Sequence, residues 1–290
     1  MVNIKLPISV LILTLNEEDN LPVCLAALSW CDDIVVLDSG STDHTCMIAE
    51  KFGARIYSRE FDTFASQRNF GLEKTGLKHE WVLHLDADEV MTGDLLHEIK
   101  SKIQEERFDA YRIPCKMIFW GKWLRYSGMY PTYQVRLTRN RGFRFRQVGH
   151  GQKEDMDLER VGTLENPYLH YSFSKGIGEW FDKHNRYAGQ EADETIRQIR
   201  YGNVDWKSLI SRDAYKRRMA LKQFSYRLPF RPFFRFAYMY FLKMGFLDGI
   251  AGFHYCCMVA IYEYMIVLKV KEKRQEQSKA DLTSGGCPKK

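Results

Sequence analysis

The segment Leu85-Asp86-Ala87-Asp88-Glu89 places two carboxylates two residues apart, directly after an apolar run. In an extended segment such side chains point the same way, so Asp86 and Asp88 can converge on one hard cation. A magnesium-type ion takes one or two carboxylates and fills its shell with water and substrate phosphates. An isolated pair of this kind also serves as a solvated acidic turn, so its context decides. Thr14-Leu15-Asn16-Glu17 and Asp38-Ser39-Gly40-Ser41-Thr42-Asp43 also follow apolar runs. Small hydroxyl residues and glycine let a ligand approach the backbone closely. Asp38 can accept hydrogen bonds from a ribose or a base, and Asp43 can cap the helix that follows.

These clusters need strands to present them. Ile8–Thr14 (ISVLILT) is a continuous apolar run, as expected of a strand buried on both faces of a parallel sheet. Ile34–Asp38 and residues 81–85 read as further strands, and 55–57 as a short one. Helices are expected at 21–30 (Asn20 as cap, Pro22 in the first turn), 43–52, Phe64–Lys74 and 94–104. Alternation of this kind predicts an α/β layer with a parallel sheet. Ligands of such sheets bind at the C-terminal strand ends, where all three polar clusters fall. Strands are expected at 110–120 and 133–138, and a helix at 179–200.

Charge divides the chain. Of 290 residues, the first 110 hold 10 basic and 20 acidic residues, and the remainder holds 33 basic and 17 acidic. The basic part points to an anionic partner. A hydrophobic content of 45% excludes a disordered chain. Seven cysteines without a CxxC pair argue against a disulfide framework or zinc ribbon and read as reduced thiols. The run at 8–15 ends in Asn16-Glu17-Glu18-Asp19 without a small-residue cleavage site, so a strand is preferred to a signal peptide. Residues 249–262 are 14 positions without a formal charge, short of the ~20 a spanning helix needs.

The stretches ISVLILTLNEEDNL, DIVVLDSGSTDHT, FASQRNFGL and WVLHLDADE resemble glycosyltransferase family 2 in order and spacing. The resemblance is strong over residues 8–110. It continues more weakly through VGHGQKED, YLHYSFSKG, KHNRYAGQEA and GFLDGIAGFHYCCMVAIYEY, which look like the bacterial enzymes of lipopolysaccharide core and exopolysaccharide synthesis. It implies a GT-A nucleotide-diphospho-sugar transferase fold, Rossmann-like with a mostly parallel sheet. Thr14, Asn16 and Glu17 would line the nucleoside pocket, and Asp38 and Ser39 would hold uracil and ribose. Arg68, beside Asn69, would lie near the phosphates or order that pocket. Asp86 and Asp88 would be the DXD metal motif for Mg2+ or Mn2+, with Asp88 ahead of Asp86 as direct ligand. An inverting transfer also needs a general base; Glu154 ranks first and Asp155 second, with His150 as a binding or orienting group. Related enzymes often carry His-Glu there, whereas Gly151 and Gln152 follow His150 here. Phe143, Arg144, Phe145 and Arg146 read either as an acceptor contact or as a strand with one basic face. For His170, His184 and Arg186, packing or surface roles are preferred to ligand contacts.

Residues 212–243 hold nine basic residues and one acid, Asp213, interleaved with aromatics and broken by Pro229 and Pro232. Arginine at lipid phosphates and aromatics at headgroup level suit an anionic membrane surface. A contact between copies of the chain and an ordinary core are the alternatives, and no nucleic-acid motif is present. The expected organisation is a nucleotide-sugar-binding half at 1–110 and an acceptor-binding part at 111–205. A basic, aromatic, helical membrane-associating extension follows at 206–270, then a flexible tail at 271–290. The expected activity is metal-dependent inverting transfer from a nucleotide sugar, a UDP-sugar first, to a lipid-linked glycan acceptor. Its place would be the cytoplasmic face of the inner membrane, peripherally. A polyprenyl-phosphate sugar synthase and a non-catalytic nucleotide-sugar-binding scaffold are the rivals.

Overall fold

A computed structural model describes residues 5–148, 151–202, 205–211, 214–228 and 230–284. His150, Arg212, Asp213 and Pro229 therefore lie outside the described residues. The chain forms two compact units, Met1–Ile177 and Gly178–Lys290.

The first unit is built on a ten-stranded mixed sheet. β1 (Ile8–Thr14), β2 (Ile34–Asp38), β3 (Arg55–Ser58) and β4 (Trp81–Asp86) run parallel in the order β3-β2-β1-β4. The sheet continues through β8 (Thr132–Arg139), β6 (Ala110–Phe119), β12 (Tyr168–His170) and β5 (Glu89–Val90). β8 is antiparallel to both β4 and β6, and β5 is antiparallel to β12. β7 (Lys122–Trp123) and β11 (Val161–Thr163) pair with β6, while β9 (Phe145–Val148) and β10 (Gly151–Glu154) form a separate hairpin.

Strand alternation sorts the core into two layers. Val10, Ile12, Val36 and Leu83 pack with α1 (Leu21–Ala26), α2 (Thr45–Lys51) and α4 (Gly93–Lys102). Leu11, Val35, Leu37 and Val82 face the other way, onto α3 (Phe64–Lys74) and the buried rings of Phe143 and Phe145. Both faces are covered, which is why these strands read as unbroken apolar runs. Helix α3 approaches closely at Gly71, where an added Cβ would lie 2.4 Å from Leu11 Cδ2.

Two expected helix features change. α1 stops at Ala26 because the chain tightens into i→i−3 turns, with Leu28 N bonded to Leu25 O at 2.9 Å, and so buries Leu28 and Trp30. Asn20 does not cap α1 through its side chain; its Nδ2 donates to Glu17 Oε2 at 2.7 Å.

The second unit is helical. α5 (Gly176–Tyr201) begins at the unit boundary, and α6 (Ala214–Ser225), α7 (Arg231–Ala237) and α8 (Gly249–Ser284) follow. A π turn over Tyr238–Leu242 and a 3-10 turn over Gly245–Asp248 connect α7 to α8. Ala188 and Ala192 of α5 pack against Ile266 and Val270 of α8. Met239 packs against Cys256 and Val259. α8 runs to Ser284, through much of the stretch expected to be a tail, because Lys271-Glu272-Lys273-Arg274-Gln275-Glu276-Gln277 is a run of good helix formers.

Candidate functional site

The polar clusters after β1, β2 and β4 meet at one sheet edge. Asp38 closes β2 and accepts from Thr14 Oγ1 at 2.8 Å, Gly40 N at 2.9 Å, and Ser41 N and Oγ at 2.8 and 2.5 Å. Burial alone would raise this carboxyl; the hydrogen bonds outweigh it and hold it below its ordinary value. Asn16, at φ 55°, receives Thr42 N on Oδ1 at 2.8 Å and donates its own N–H to Ser41 Oγ at 2.8 Å. Ser39 Oγ accepts from Gln67 Nε2 at 3.0 Å. Thr14, Asn16, Asp38 and Ser39 are thus brought together as one braced pair of loops.

Asp86 and Asp88 part company. β4 ends at Asp86, and Ala87 and Asp88 form a turn, so strand alternation no longer applies between them. Alternation alone therefore does not aim both carboxylates at one cation. Asp86 is held from below by two buried arginines, Arg68 Nη2 on Oδ1 at 2.6 Å and Arg136 Nη2 on Oδ2 at 2.7 Å. Arg136 also pairs with Glu89, which is fully buried and accepts from Asp86 N at 3.0 Å. Burial would raise Asp86, but the Arg136 and Arg68 charges hold it well below the usual carboxylate range. Glu89 goes the other way: burial, only partly offset by Arg136 and reinforced by the Asp86 charge, pushes it up to about 7.

Asp88 faces a different partner. β12 pairs with β5, setting His170 opposite Glu89, and Tyr171 N donates to Asp88 O at 2.9 Å. This register brings His170 Nε2 to 3.3 Å from Asp88 Oδ2. Burial opposes protonation of His170, yet the Asp88 charge and hydrogen bond hold it well above the usual imidazole range. Glu17 stands near by. Its carboxyl is raised by burial, less the effect of its bonds to Asn20 and Lys175, with the Asp88 charge adding. Lys175 Nζ reaches Glu17 Oε1 at 2.6 Å and Leu15 O at 3.3 Å, closing the end of β1.

Among the described residues, no three His, Cys, Asp or Glu side chains gather to hold a metal ion alone. One carboxylate and one imidazole, Asp88 and His170, nevertheless suit a cation that takes its remaining ligands from water and phosphate oxygens. Sequence reasoning favoured a packing role for His170 and passed over Arg136, Glu89 and Lys175. A signal for Arg136 existed: it sits between Val135 and Leu137 in a strand, the mark of a paired buried charge.

Glu154 and Asp155 are placed differently. Both belong to the β9–β10 hairpin, which packs on α3 through Asn69, bonded to Phe145 N and O at 2.9 Å each. It is Gln152 that reaches Arg68, the partner of Asp86. With its amide oriented to satisfy both ends, Oε1 accepts from Arg68 Nε at 2.6 Å and Nε2 donates to Phe64 O at 3.1 Å. Glu154 lies two residues further along, roughly 7 Å of strand away, and no described contact joins it to Asp86 or Asp88. Asp155 is exposed, its N–H bonded to Arg144 O at 2.9 Å.

The sequence is similar to a lipopolysaccharide core biosynthesis glycosyltransferase, LpsC, of Rhizobium meliloti, at 23% identity over 96% of this chain and 97% of that one. It is similar to an uncharacterized glycosyltransferase of Rickettsia conorii at 24% identity, covering 91% and 90%. Among solved structures, Staphylococcus aureus TarS 1-349 aligns at 18% identity and TM-score 0.42, covering 93% of this chain and 91% of that one. Residues 9–157, which hold every strand-end cluster described above except His170 and Lys175, match Glycosyl transferase family 2. The chain belongs to that family and is a glycosyltransferase with the GT-A fold.

Proposed function

We propose that this enzyme transfers the sugar of a nucleotide sugar, a UDP-sugar first, with inversion onto a lipid-linked saccharide during lipopolysaccharide or exopolysaccharide assembly. The observation that carries this reading is the Asp88–His170 pair, 3.3 Å apart at the sheet's ligand edge beside the braced Asp38 loop. The near-full-length likeness to LpsC, named for lipopolysaccharide core biosynthesis, supports the acceptor class.

Asp88 and His170 would hold a divalent cation, Mg2+ or Mn2+, which when bound stabilises charge developing on the departing nucleoside diphosphate. Asp86, both of whose oxygens are bonded to arginine, acts as a positioning group and not as a ligand. Thr14, Asn16, Asp38 and Ser39 form the wall of the nucleoside pocket. Glu154, with Asp155 second, takes the proton of the acceptor hydroxyl. The basic, apolar second unit attaches the enzyme to the cytoplasmic face of the inner membrane, where a cytosolic donor meets a lipid acceptor.

A panel of nucleotide sugars tested for thermal stabilisation with and without Mn2+ checks the donor reading, because a ligand bound only by the folded state raises apparent stability. Stabilisation by a UDP-sugar that needs the metal and disappears in Asp88→Ala is expected. A panel in which no nucleotide shifts the melt with either metal would count against it. Glu154→Gln should bind donor normally and lose at least 100-fold in transfer; the same loss in Asp155→Asn alone would move the base there.

A further inference from the structure

The helices after residue 230 fold back on themselves. Arg231 of α7 meets Glu263 of α8 at 2.6 Å. Further in, Phe236 and Tyr240 each pack against Phe253, with ring centroids 6.1 and 5.7 Å apart. Tyr240 also meets Phe246 at 6.1 Å. The pairs step along the two arms in opposite directions, so α7 with its π turn and the start of α8 form an antiparallel hairpin. The connecting turn packs tightly: a Cβ on Gly252 would lie 2.3 Å from Gly245 O.

This hairpin is apolar on its outside as well as its inside. Phe241, Leu242 and Ile250 are 60%, 76% and 75% exposed. Along α7, Phe230, Phe233 and Phe234 form an exposed stripe, and along α8 Ile261, Tyr264 and Leu268 form another. Contiguous exposed surface of this kind needs a partner. Between Arg235 and Glu263 the formal charges are Lys243 and Asp248. Asp248 is buried in the turn. Lys243 lies with Nζ 5.6 Å from the Tyr238 ring centroid, on a stem long enough to snorkel. From residue 214 to 247 the sequence holds no acid, so its cations complement anionic lipid phosphates.

By length and composition the Gly245–Lys279 stretch could cross a bilayer, with a window of mean hydropathy 1.5. Its packing says otherwise. From Tyr262 on, α8 is committed to α5: Ile266 and Val270 pack on Ala188 and Ala192, and Lys269 Nζ bonds Asn185 O at 2.6 Å. Lys273 pairs with Asp193, an exposed residue of the same helix. Only 249–262 remains for lipid, a rise of about 20 Å against about 30 Å of hydrocarbon.

We propose that residues 230–262 form a re-entrant helical hairpin that embeds in the acyl chains of one leaflet, with both arms entering and leaving on the same side. This rests on the membrane-attachment part of the proposed function and is independent of the transfer chemistry. Attachment by charge alone would be lost at 1 M salt, where the Debye length falls to about 3 Å; an embedded hairpin persists.

The test uses full-length protein and vesicles of phosphatidylethanolamine and phosphatidylglycerol. Wild type should stay bound in 1 M NaCl. Phe241→Glu/Ile250→Glu, two exposed positions, should bind at least ten-fold more weakly while melting and hydrolysing donor in detergent as wild type does. In cells, an epitope after Lys290 should resist protease in spheroplasts and be cleaved in inverted membrane vesicles. Release of wild type by salt, or unchanged binding by the double variant, overturns the hairpin while leaving surface attachment standing. Cleavage of the epitope in spheroplasts makes α8 a spanning helix and overturns it too. No vesicle binding at any salt removes the attachment reading as well, and donor hydrolysis reports the transferase reading separately.

Discussion

Asp86→Ala and Asp88→Ala should both abolish transfer but separate sharply in stability. Arg68 and Arg136 are 1% and 3% exposed, and Asp86 supplies an anion to each. Removing one partner of a buried pair typically costs about 3–5 kcal/mol, because a charge stays buried without compensation. Glu89 still opposes Arg136, and the Asp86 side chain is 35% exposed, so the lower end, about 3 kcal/mol, applies. A compact unit of this size shifts by roughly 2–4 °C per kcal/mol, which gives a drop of about 6–12 °C for Asp86→Ala. Asp88 pairs with partly buried His170, an imidazolium that can shed its proton when the carboxylate is gone, so Asp88→Ala should cost less, about 1 kcal/mol or roughly 2–4 °C. Calorimetry or a dye-based melt on the apo proteins reads the difference directly. If Asp86→Ala melts within 2 °C of wild type, the two arginines do not depend on Asp86, and the division into a structural Asp86 and a ligand Asp88 fails.

His170→Ala should weaken Mn2+-dependent UDP binding at least ten-fold in titration calorimetry while leaving metal-free binding unchanged, since only the imidazole beside Asp88 is removed. Gly71→Ala should destabilise by about 1–3 kcal/mol in denaturant melts, because the new methyl collides with Leu11 on β1. Burial would raise Asp33, but bonds from Lys78 N, Ser9 and Arg55 hold it below its ordinary value. Its contribution is therefore present above the unfolded-state value, ~3.9, and is lost as pH falls through the lower folded value. Asp33→Asn should lower stability at neutral pH and flatten the pH dependence below pH ~4 in parallel melts.

Most of the parallel half of the sheet was legible because β1, β2 and β4 are apolar runs, each with a polar cluster at its end. Ile8–Thr14, Ile34–Asp38 and Phe64–Lys74 emerge with the bounds read from sequence. Periodicity speaks only about neighbours along the chain, which is why the rest was hidden. His170 reaches Asp88 through the pairing of β12 with β5, across some 80 residues of sequence. Arg136 reaches Asp86 because β8 enters antiparallel beside β4. How Asp88 is aimed was not legible either, because strand alternation stops at the end of β4 and Asp88 lies in the turn beyond it. The basic-aromatic zone showed its partner's chemistry but not its shape, because the hairpin is set by backbone reversals at Phe230, Met244 and Gly249, two of them at residues that do not favour positive φ.

The place of β8 has a consequence for how the protein is made. Residues 1–110 leave the ribosome with β4 as the open edge of a parallel sheet, and its neighbour emerges only with Thr132–Arg139. Until then Glu89 lacks its guanidinium, and Asp88 waits longer still for residue 170. A nascent chain or a fragment ending near residue 110 therefore carries an unpaired strand edge, a template for aggregation. A fragment of residues 1–110 is expected to aggregate in isolation, and slower translation between residues 110 and 170 would lengthen the time this chain spends with that edge open.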